Sequence, residues 1–109
     1  SEPLIRRFLD QGACFSFAGS LCHPRARHVQ AAAAAVPLDR LLIETDTPDI
    51  LPPDGVPVRI APEDPPLNQP ANLPLVARAL ARIRGLDAAE VGALTERNAR
   101  RVYGLGEHT

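Results

Sequence analysis

Two carboxylates, Glu44 and Asp46, follow directly on a short apolar run at residues 40–43. Such a run is typical of a strand that is buried on both faces. Because side chains two residues apart in a strand point to the same side, Glu44 and Asp46 can share a face where this strand leaves the core. Carboxylates suit hard divalent ions such as Mg²⁺ or Mn²⁺ and can act on a water bound to them. Asp-Thr-Pro is also good turn chemistry, so a simple turn at Asp46 stays open as an alternative.

The other chemically active side chains do not form a recognisable site. His23 and His28 are five residues apart, so on a helix they point roughly 140° away from each other and cannot chelate from one face. His108 lies in the tail. No Gly-rich phosphate loop and no nucleophile elbow occurs in the sequence. Three arginines of the last predicted helix are interpreted as a solvated face, with contact to a phosphate backbone as the alternative: Arg97, Arg100 and Arg101.

The two cysteines, Cys14 and Cys22, are too few for a disulfide framework and lack the short spacing of a zinc knuckle. We interpret them as free thiols in a reducing compartment and expect a cytoplasmic protein. Composition adds little, because the formal net charge is −1 and no run of apolar residues is long enough for a membrane span.

The elements that must position the carboxylates follow from hydrophobic spacing. A helix is predicted at residues 1–10, a strand at 13–18, a helix at 24–36 and a strand at 40–45. Strand, helix and strand in this order predict a βαβ unit with parallel strands and a right-handed crossover. Two strands leave open sheet edges, so we expect the chain to be the tail of a larger α/β protein.

Nine of the twelve prolines lie between Pro48 and Pro74, which excludes a regular helix or a central strand there. An interdomain linker and a long functional loop both fit, and the carboxylates that precede the segment favour the loop.

Beyond the prolines, the apolar spacing predicts a helix from Pro70 to a stop at Gly85 and a last helix that begins at a capping box, Asp87 to Glu90. Val91, Leu94 and Val102 give the last helix its apolar stripe. Asn98 falls on the same stripe and therefore needs a hydrogen-bond partner. Residues 107–109 are expected to fray.

Residues 36–48 (Val-Pro-Leu-Asp-Arg-Leu-Leu-Ile-Glu-Thr-Asp-Thr-Pro) resemble the closing motif of the TatD family of metal-dependent deoxyribonucleases. Further matches follow in order: the Phe-Ser-Phe-Ala-Gly segment at 15–19, Asn68 and Pro70 of an Asn-x-Pro motif, residues 83–85, and the closing segment that starts at Asn98. The resemblance implies that residues 1–109 are the C-terminal portion of a TIM-type (β/α)₈ barrel. This α/β portion would hold two parallel strands, about four helices, and a proline-rich loop at residues 48–70.

The same resemblance implies that Asp46 is a metal-binding and catalytic carboxylate that handles the proton of the attacking water. Glu44 belongs to the motif as a candidate neighbour of the metal ligands. The ion would be Mg²⁺, with Mn²⁺ or Zn²⁺ as alternatives. The family's histidine ligands and bridging glutamate have no counterparts here, and neither His23 nor His28 stands at a ligand position. As a catalyst the chain is therefore expected to be incomplete.

The resulting hypothesis is a fragment of a hydrolase that cleaves phosphodiester bonds in DNA and is inactive in isolation. One alternative is an amidohydrolase-like enzyme that cleaves another ester or amide. The other is a non-catalytic, partner-binding remnant. Because the strand edges are open, we also expect the chain to associate with itself or with a missing N-terminal part, and we expect no membrane partner.

Overall fold

The computed structural model describes residues 2–104. Over this range, four helices flank a pair of strands: α1 (Glu2–Asp10), β1 (Phe15–Phe17), α2 (Arg27–Ala35), β2 (Leu41–Ile43), α3 (Leu73–Arg84) and α4 (Ala88–Val102). Short 3₁₀ turns lie at Gly19–Cys22, Leu38–Arg40 and Pro70–Asn72. The predicted fraying of residues 107–109 falls outside the described residues.

The two strands pair in parallel, with Phe15 opposite Leu41 and Phe17 opposite Ile43, and α2 connects them. The prediction of a parallel strand–helix–strand unit is confirmed. Both strands are shorter than predicted. Before β1, the carbonyl of Ala13 accepts a hydrogen bond from the Arg40 guanidinium at 3.0 Å instead of a ladder bond. After β2, the backbone leaves the extended region at Asp46, which has a φ of 57°.

The core lies on one side of the sheet, where α3 and α4 cover it. Leu41 is buried, together with Val76 and Leu80 of α3 and Val91 of α4. The prediction that β2 is buried on both faces is wrong, because Leu42 and Ile43 are only half-buried. α3 and α4 cover the face of β2 that carries Leu41. Within the described residues, the opposite face, which carries Leu42, has no comparable helix packed against it.

The helix ends follow local sequence chemistry. Gly85 adopts a left-handed conformation, with a φ of 68°, and ends α3 as predicted. At the start of α4, the Asp87 N–H donates to Glu90 Oε1 at 3.3 Å, which is the predicted capping box. The prediction that Val102 belongs to the buried apolar stripe of α4 is wrong, because Val102 is 47% exposed at the end of the helix. None of the helices in residues 2–104 has the length and apolar character that a membrane crossing needs.

The proline-rich segment folds back on itself and packs against the rest of the chain. Val58 and Leu67 form an antiparallel bridge, with N–H to carbonyl distances of 3.0 and 2.8 Å in the two directions. Near the end of the segment, the Asn68 N–H donates to the carbonyl of Pro48 at 2.9 Å. These contacts bring its two ends together, which favours a packed loop over an extended linker.

Candidate metal centre at the end of the second strand

Glu44 and Asp46 lie just beyond the last ladder residue of β2. The Glu44 N–H still donates to the carbonyl of Phe17 at 2.9 Å, so Glu44 continues the pairing with β1. Two residues later, the carbonyl of Asp46 accepts a hydrogen bond from the Asp49 N–H at 2.8 Å. Asp46 therefore does begin a turn, as the alternative interpretation predicted. Its left-handed backbone is a conformation that Asp adopts more readily than most residues.

The two carboxylates nevertheless share one cavity of about 430 Å³. It opens between the carboxyl ends of the strands and the first turns of α2, and both acidic side chains are exposed to solvent. The remaining lining residues are Ser16, Phe17, Ala18, Ser20, His28, Val29 and Ala32. The turn at Asp46 and the carboxylate cavity thus occur together.

His28 is a member of this cavity that sequence reasoning excluded as a ligand. It lies in the first turn of α2, and its neighbours on the lining, Val29 and Ala32, are one and four residues further on. That spacing marks one helix face and was the available signal. Even so, residues 2–104 contain no group of three His, Cys, Asp or Glu side chains arranged to hold a metal ion.

Asn68 holds the backbone on both sides of Asp46. Its side chain is 2% exposed. Its Nδ2 lies 2.6 Å from the carbonyl of Thr45, 3.0 Å from that of Asp49 and 3.2 Å from that of Ile50. Because these carbonyls precede and follow Asp46, one buried amide determines the path of the chain through the carboxylate turn.

The acceptor side of the same amide is also used. Asn68 Oδ1 accepts hydrogen bonds from the Gln69 N–H at 2.8 Å and from Asn72 Nδ2 at 2.9 Å. Asn72 is itself 2% exposed and bonds both the N–H and the carbonyl of Val56, at 2.9 and 3.0 Å. Asn72 was not predicted from the sequence, because its partners lie in the loop and are set by the fold. Pro70 begins the 3₁₀ turn between the two amides and is exposed.

Gly19 lets the loop approach the end of β1. A Cβ at this position would lie 2.7 Å from the carbonyl oxygen of Ile50 and 3.4 Å from the ring of Pro52. Real Cβ atoms essentially never come that close to a backbone oxygen. The close approach of the Gly19–Cys22 turn to the loop therefore requires glycine.

Asn98 ties α4 to the start of β2. It is 3% exposed, and its Nδ2 donates to the carbonyls of Leu38 and Leu41, each at 2.8 Å. The structure thus supplies the partner that a polar residue on an apolar stripe needs. Arg101 donates to Asn98 Oδ1 at 3.1 Å and also to the carbonyl of Asp39. Arg101 is exposed, as the interpretation of a solvated face predicted, and it also ties α4 to the turn before β2.

Both cysteines are free thiols, as predicted. The Cys22 thiol donates to the carbonyl of Leu75 at 3.5 Å. Burial raises the pKa of Cys22; the nearby Arg82 opposes this rise and Asp54 adds to it. Cys22 is therefore a neutral thiol at neutral pH, which is unlike an activated nucleophile.

The donor chemistry of the cavity fits part of a divalent metal site. Asp46 and Glu44 offer the hard carboxylate oxygens that Mg²⁺ and Mn²⁺ prefer. A closed site needs more ligands than these two, and the described residues do not bring a third acidic, histidine or cysteine side chain into place. Within the described residues, Glu44 and Asp46 are thus a partial set of donors for a divalent ion.

Comparison with known proteins gives one family. The family model described as TatD related DNase matches residues 1–104. A 3'-5' ssDNA/RNA exonuclease TatD from Pectobacterium atrosepticum is 38% identical over 98 residues, which are 89% of this chain and 36% of that protein. An uncharacterized metal-dependent hydrolase TatD from Mycobacterium tuberculosis is 35% identical over 103 residues, which are 94% of this chain and 36% of that protein.

The fold has a counterpart among solved structures. The crystal structure of YjjV, a TatD homologue from Escherichia coli K12, superposes with a TM-score of 0.71 at 27% sequence identity. The match covers 92% of this chain and 36% of YjjV. This chain therefore spans little more than a third of the length of these relatives.

Proposed function

Because the chain belongs to the TatD-related DNase family, we propose that it supplies the last two strand–helix units of a divalent-metal-dependent hydrolase that cleaves phosphodiester bonds in single-stranded nucleic acid. The family resemblance expected from residues 36–48 is confirmed, and so is the α/β fold with two parallel strands and four helices. One observation carries the proposal: Asp46 stands at the carboxyl end of a parallel strand, in a turn that the buried Asn68 holds in place. This end of a barrel strand is where catalytic residues of such folds lie.

Asp46 would hold the ion through its carboxylate and accept the proton of the attacking water. A bound divalent ion supplies Lewis-acid polarisation of the phosphoryl oxygen. Glu44 lines the same cavity and would accept hydrogen bonds from the groups around Asp46. Asn68 and Asn98 act as positioning residues, because they bind the backbone of the carboxylate turn and of β2 without reaching the cavity lining.

The substrate assignment draws on the names of relatives. The Pectobacterium and Erwinia proteins are named ssDNA/RNA exonucleases, whereas the Mycobacterium relative is named only a metal-dependent hydrolase. Because that broader name specifies no substrate, an amidohydrolase-like activity on another ester or amide is the second candidate. We place the protein in the cytoplasm, and the two free thiols support this location.

We predict that the purified chain alone has no nuclease activity with Mg²⁺, Mn²⁺ or Zn²⁺, because its described residues hold no group of three metal-ligating side chains. The positive test is a chimera in which this chain replaces the matching segment of the Pectobacterium exonuclease. The folded chimera should degrade a 3'-labelled single-stranded oligonucleotide when a divalent ion is present.

Asp46→Asn in that chimera should lower the rate more than about 100-fold, since even residues that only support a metal ligand cost 10–100-fold when removed. The matched control is Asp39→Asn, which makes the same change of charge at an exposed position outside the cavity. A folded Asp46→Asn chimera with the activity of the unsubstituted chimera would sink the assignment. Full activity towards a carboxylic ester or amide, with none towards the oligonucleotide, would favour the second candidate.

We also propose that the chain associates through its sheet. Within residues 2–104, β1 and β2 pair only with each other, and the apolar Leu4 and Phe8 of α1 are about half exposed. Sedimentation of the purified chain should show a dimer or larger species. A monodisperse monomer would contradict this expectation.

A further inference from the structure

A second cavity, of about 780 Å³, lies between α2 and α3. The 3₁₀ turn Gly19–Cys22 separates it from the carboxylate cavity, because Ser20 lines the first cavity whereas Leu21 and Cys22 line the second. The loop that leaves Asp46 also borders it, through Pro52, Pro53 and Asp54. The two cavities are thus neighbours that share a turn and a loop.

One face of α3 carries two arginines into this lining. Arg78 and Arg82 are four residues apart, and the apolar residues of the same face, Ala79 and Ile83, line the cavity beside them. Residues at this spacing have Cβ atoms about 5–6 Å apart, so both guanidinium groups can reach a single anion. The amide of Gln30 on α2 adds a further donor to the lining.

Neither of these guanidinium groups is used by the fold. Within residues 2–104, no hydrogen bond or ion pair of the Arg78 or Arg82 side chain occurs, whereas Arg84 on the same helix donates to the carbonyls of Ala33 and Val36. Arg40 likewise donates to the carbonyls of Leu9 and Ala13. Arg84 and Arg40 therefore have structural roles in the described chain that Arg78 and Arg82 lack.

The electrostatics of the cavity favour an anion. Its charged lining residues are Arg78, Arg82 and Asp54, and Asp54 forms no ion pair with either arginine in the described part of the chain. Cys22 remains a neutral thiol, because burial raises its pKa, so it adds no negative charge to the cavity. The lining thus has an excess of one positive charge.

We propose that this cavity binds a phosphate group of a single-stranded nucleic acid, on a nucleotide that neighbours the one at Asp46. The planar guanidinium forks of Arg78 and Arg82 match phosphate oxygens, and the exposed ring of Pro53 offers apolar surface to a base or sugar. The inference rests on the proposed function, because it takes the strand to be the substrate cleaved next to Asp46. It adds a strand-binding site that is separate from the carboxylates.

Binding is measured by fluorescence anisotropy of a labelled oligothymidylate with the purified chain in EDTA, so that no cleavage occurs. Arg78→Gln/Arg82→Gln should weaken binding about tenfold at 0.1 M salt. It should also reduce the slope of log affinity against log salt by about 0.7, which is the contribution of one neutralised phosphate of a single strand. The matched control is Arg6→Gln/Arg7→Gln, which removes the same charge from exposed positions of α1 outside the cavity.

Cys22 provides a site-resolved readout that needs no substitution. Because Cys22 lines the cavity and Cys14 does not, bound oligonucleotide should slow alkylation of Cys22 by iodoacetamide at pH 9 at least threefold and leave Cys14 unchanged. Inorganic phosphate at the same concentration should protect far less, because it lacks the neighbouring nucleotides. Equal protection by phosphate would overturn the assignment to a strand.

The inference would be overturned if the two double variants lost equal oligonucleotide affinity. It would also be overturned if bound oligonucleotide did not slow the alkylation of Cys22. Its failure is distinguishable from failure of the proposed function. An inactive chimera whose strand binding depends on Arg78 and Arg82 refutes only the hydrolase, and an active chimera with no such dependence refutes only the second site.

Discussion

Replacing Asn68 with alanine should release the loop that carries Asp46. The side chain is buried. It donates to the carbonyls of Thr45 and Asp49, on either side of Asp46, and it accepts a hydrogen bond from the Gln69 N–H. Alanine removes all of these bonds and leaves the carbonyls of Thr45 and Asp49 without their amide donor. The loop must then find other partners or take in water.

The magnitude follows from the number of bonds that one amide can make. Three carbonyls lie within 2.6 to 3.2 Å of Nδ2, but this group has two hydrogens, so it donates about two full bonds. Oδ1 accepts two more, from the Gln69 N–H and from Asn72. At about 1 kcal/mol net for each bond, the loss is about 4 kcal/mol, and water entering the relaxed loop reduces it to about 3 kcal/mol. A domain of this size has a total stability of roughly 5–15 kcal/mol.

Urea unfolding of the purified chain, followed by circular dichroism, measures the change. Asn68→Ala should lower the free energy of unfolding by about 3 kcal/mol, with the same dependence on urea as the parent chain. The matched control is Gln69→Ala, which removes a single exposed bond, 2.8 Å long, to the carbonyl of Val56. It should cost less than about 1 kcal/mol.

Equal effects of Asn68→Ala and Gln69→Ala would refute the reasoning, because burial and the number of bonds would then not matter. Asn68→Asp sharpens the test. It keeps the acceptor oxygen but replaces the donor by a carboxylate oxygen that faces three carbonyls. It should therefore destabilise the chain at pH 7 at least as much as alanine does.

Two further predictions concern the neighbourhood of the same loop. Gly19→Ala should lower the free energy of unfolding by about 1–3 kcal/mol in the same urea assay, because the new Cβ would meet the carbonyl of Ile50 at 2.7 Å; an unchanged urea midpoint would contradict that contact. Since the native pKa of Cys22 is raised above the ordinary value of 9.0, its contribution to stability is fully present below pH 9.0 and is lost as the pH rises further. The fall in urea midpoint between pH 8 and pH 10 should be smaller in Cys22→Ser, and an identical fall in both proteins would exclude Cys22 as its source.

Much of the fold was predictable because it depends on neighbours in the sequence. Gly85 ends α3 because glycine tolerates the left-handed conformation, and Glu90 accepts a hydrogen bond from the N–H of Asp87, the N-cap residue three positions earlier. The parallel pairing of β1 and β2 follows from two short apolar runs with a helix between them. The resemblance of residues 36–48 to the TatD family also needed no coordinates, and the family match confirms it.

Other features depend on contacts between distant residues. The burial of β2 was predicted wrongly, because an apolar run does not show whether one or two layers will cover it. The role of Arg101 was missed, since its partner is the carbonyl of Asp39, 62 residues earlier. The cavity between α2 and α3 has no signature in the sequence, because its walls come from four separate segments.

At the carboxylate site, too, some features follow from adjacent residues and others from contacts between distant residues. The sequence by itself determined that a carboxylate, Asp46, follows a parallel strand, because the strand and the motif are properties of adjacent residues. Only the tertiary structure decided that Asp46 also begins a turn, that it shares a cavity with Glu44 and His28, and that Asn68 holds it from 23 residues beyond Thr45. The physical reason is that hydrogen bonds and cavities depend on distances in space, which the spacing of residues along the chain does not specify.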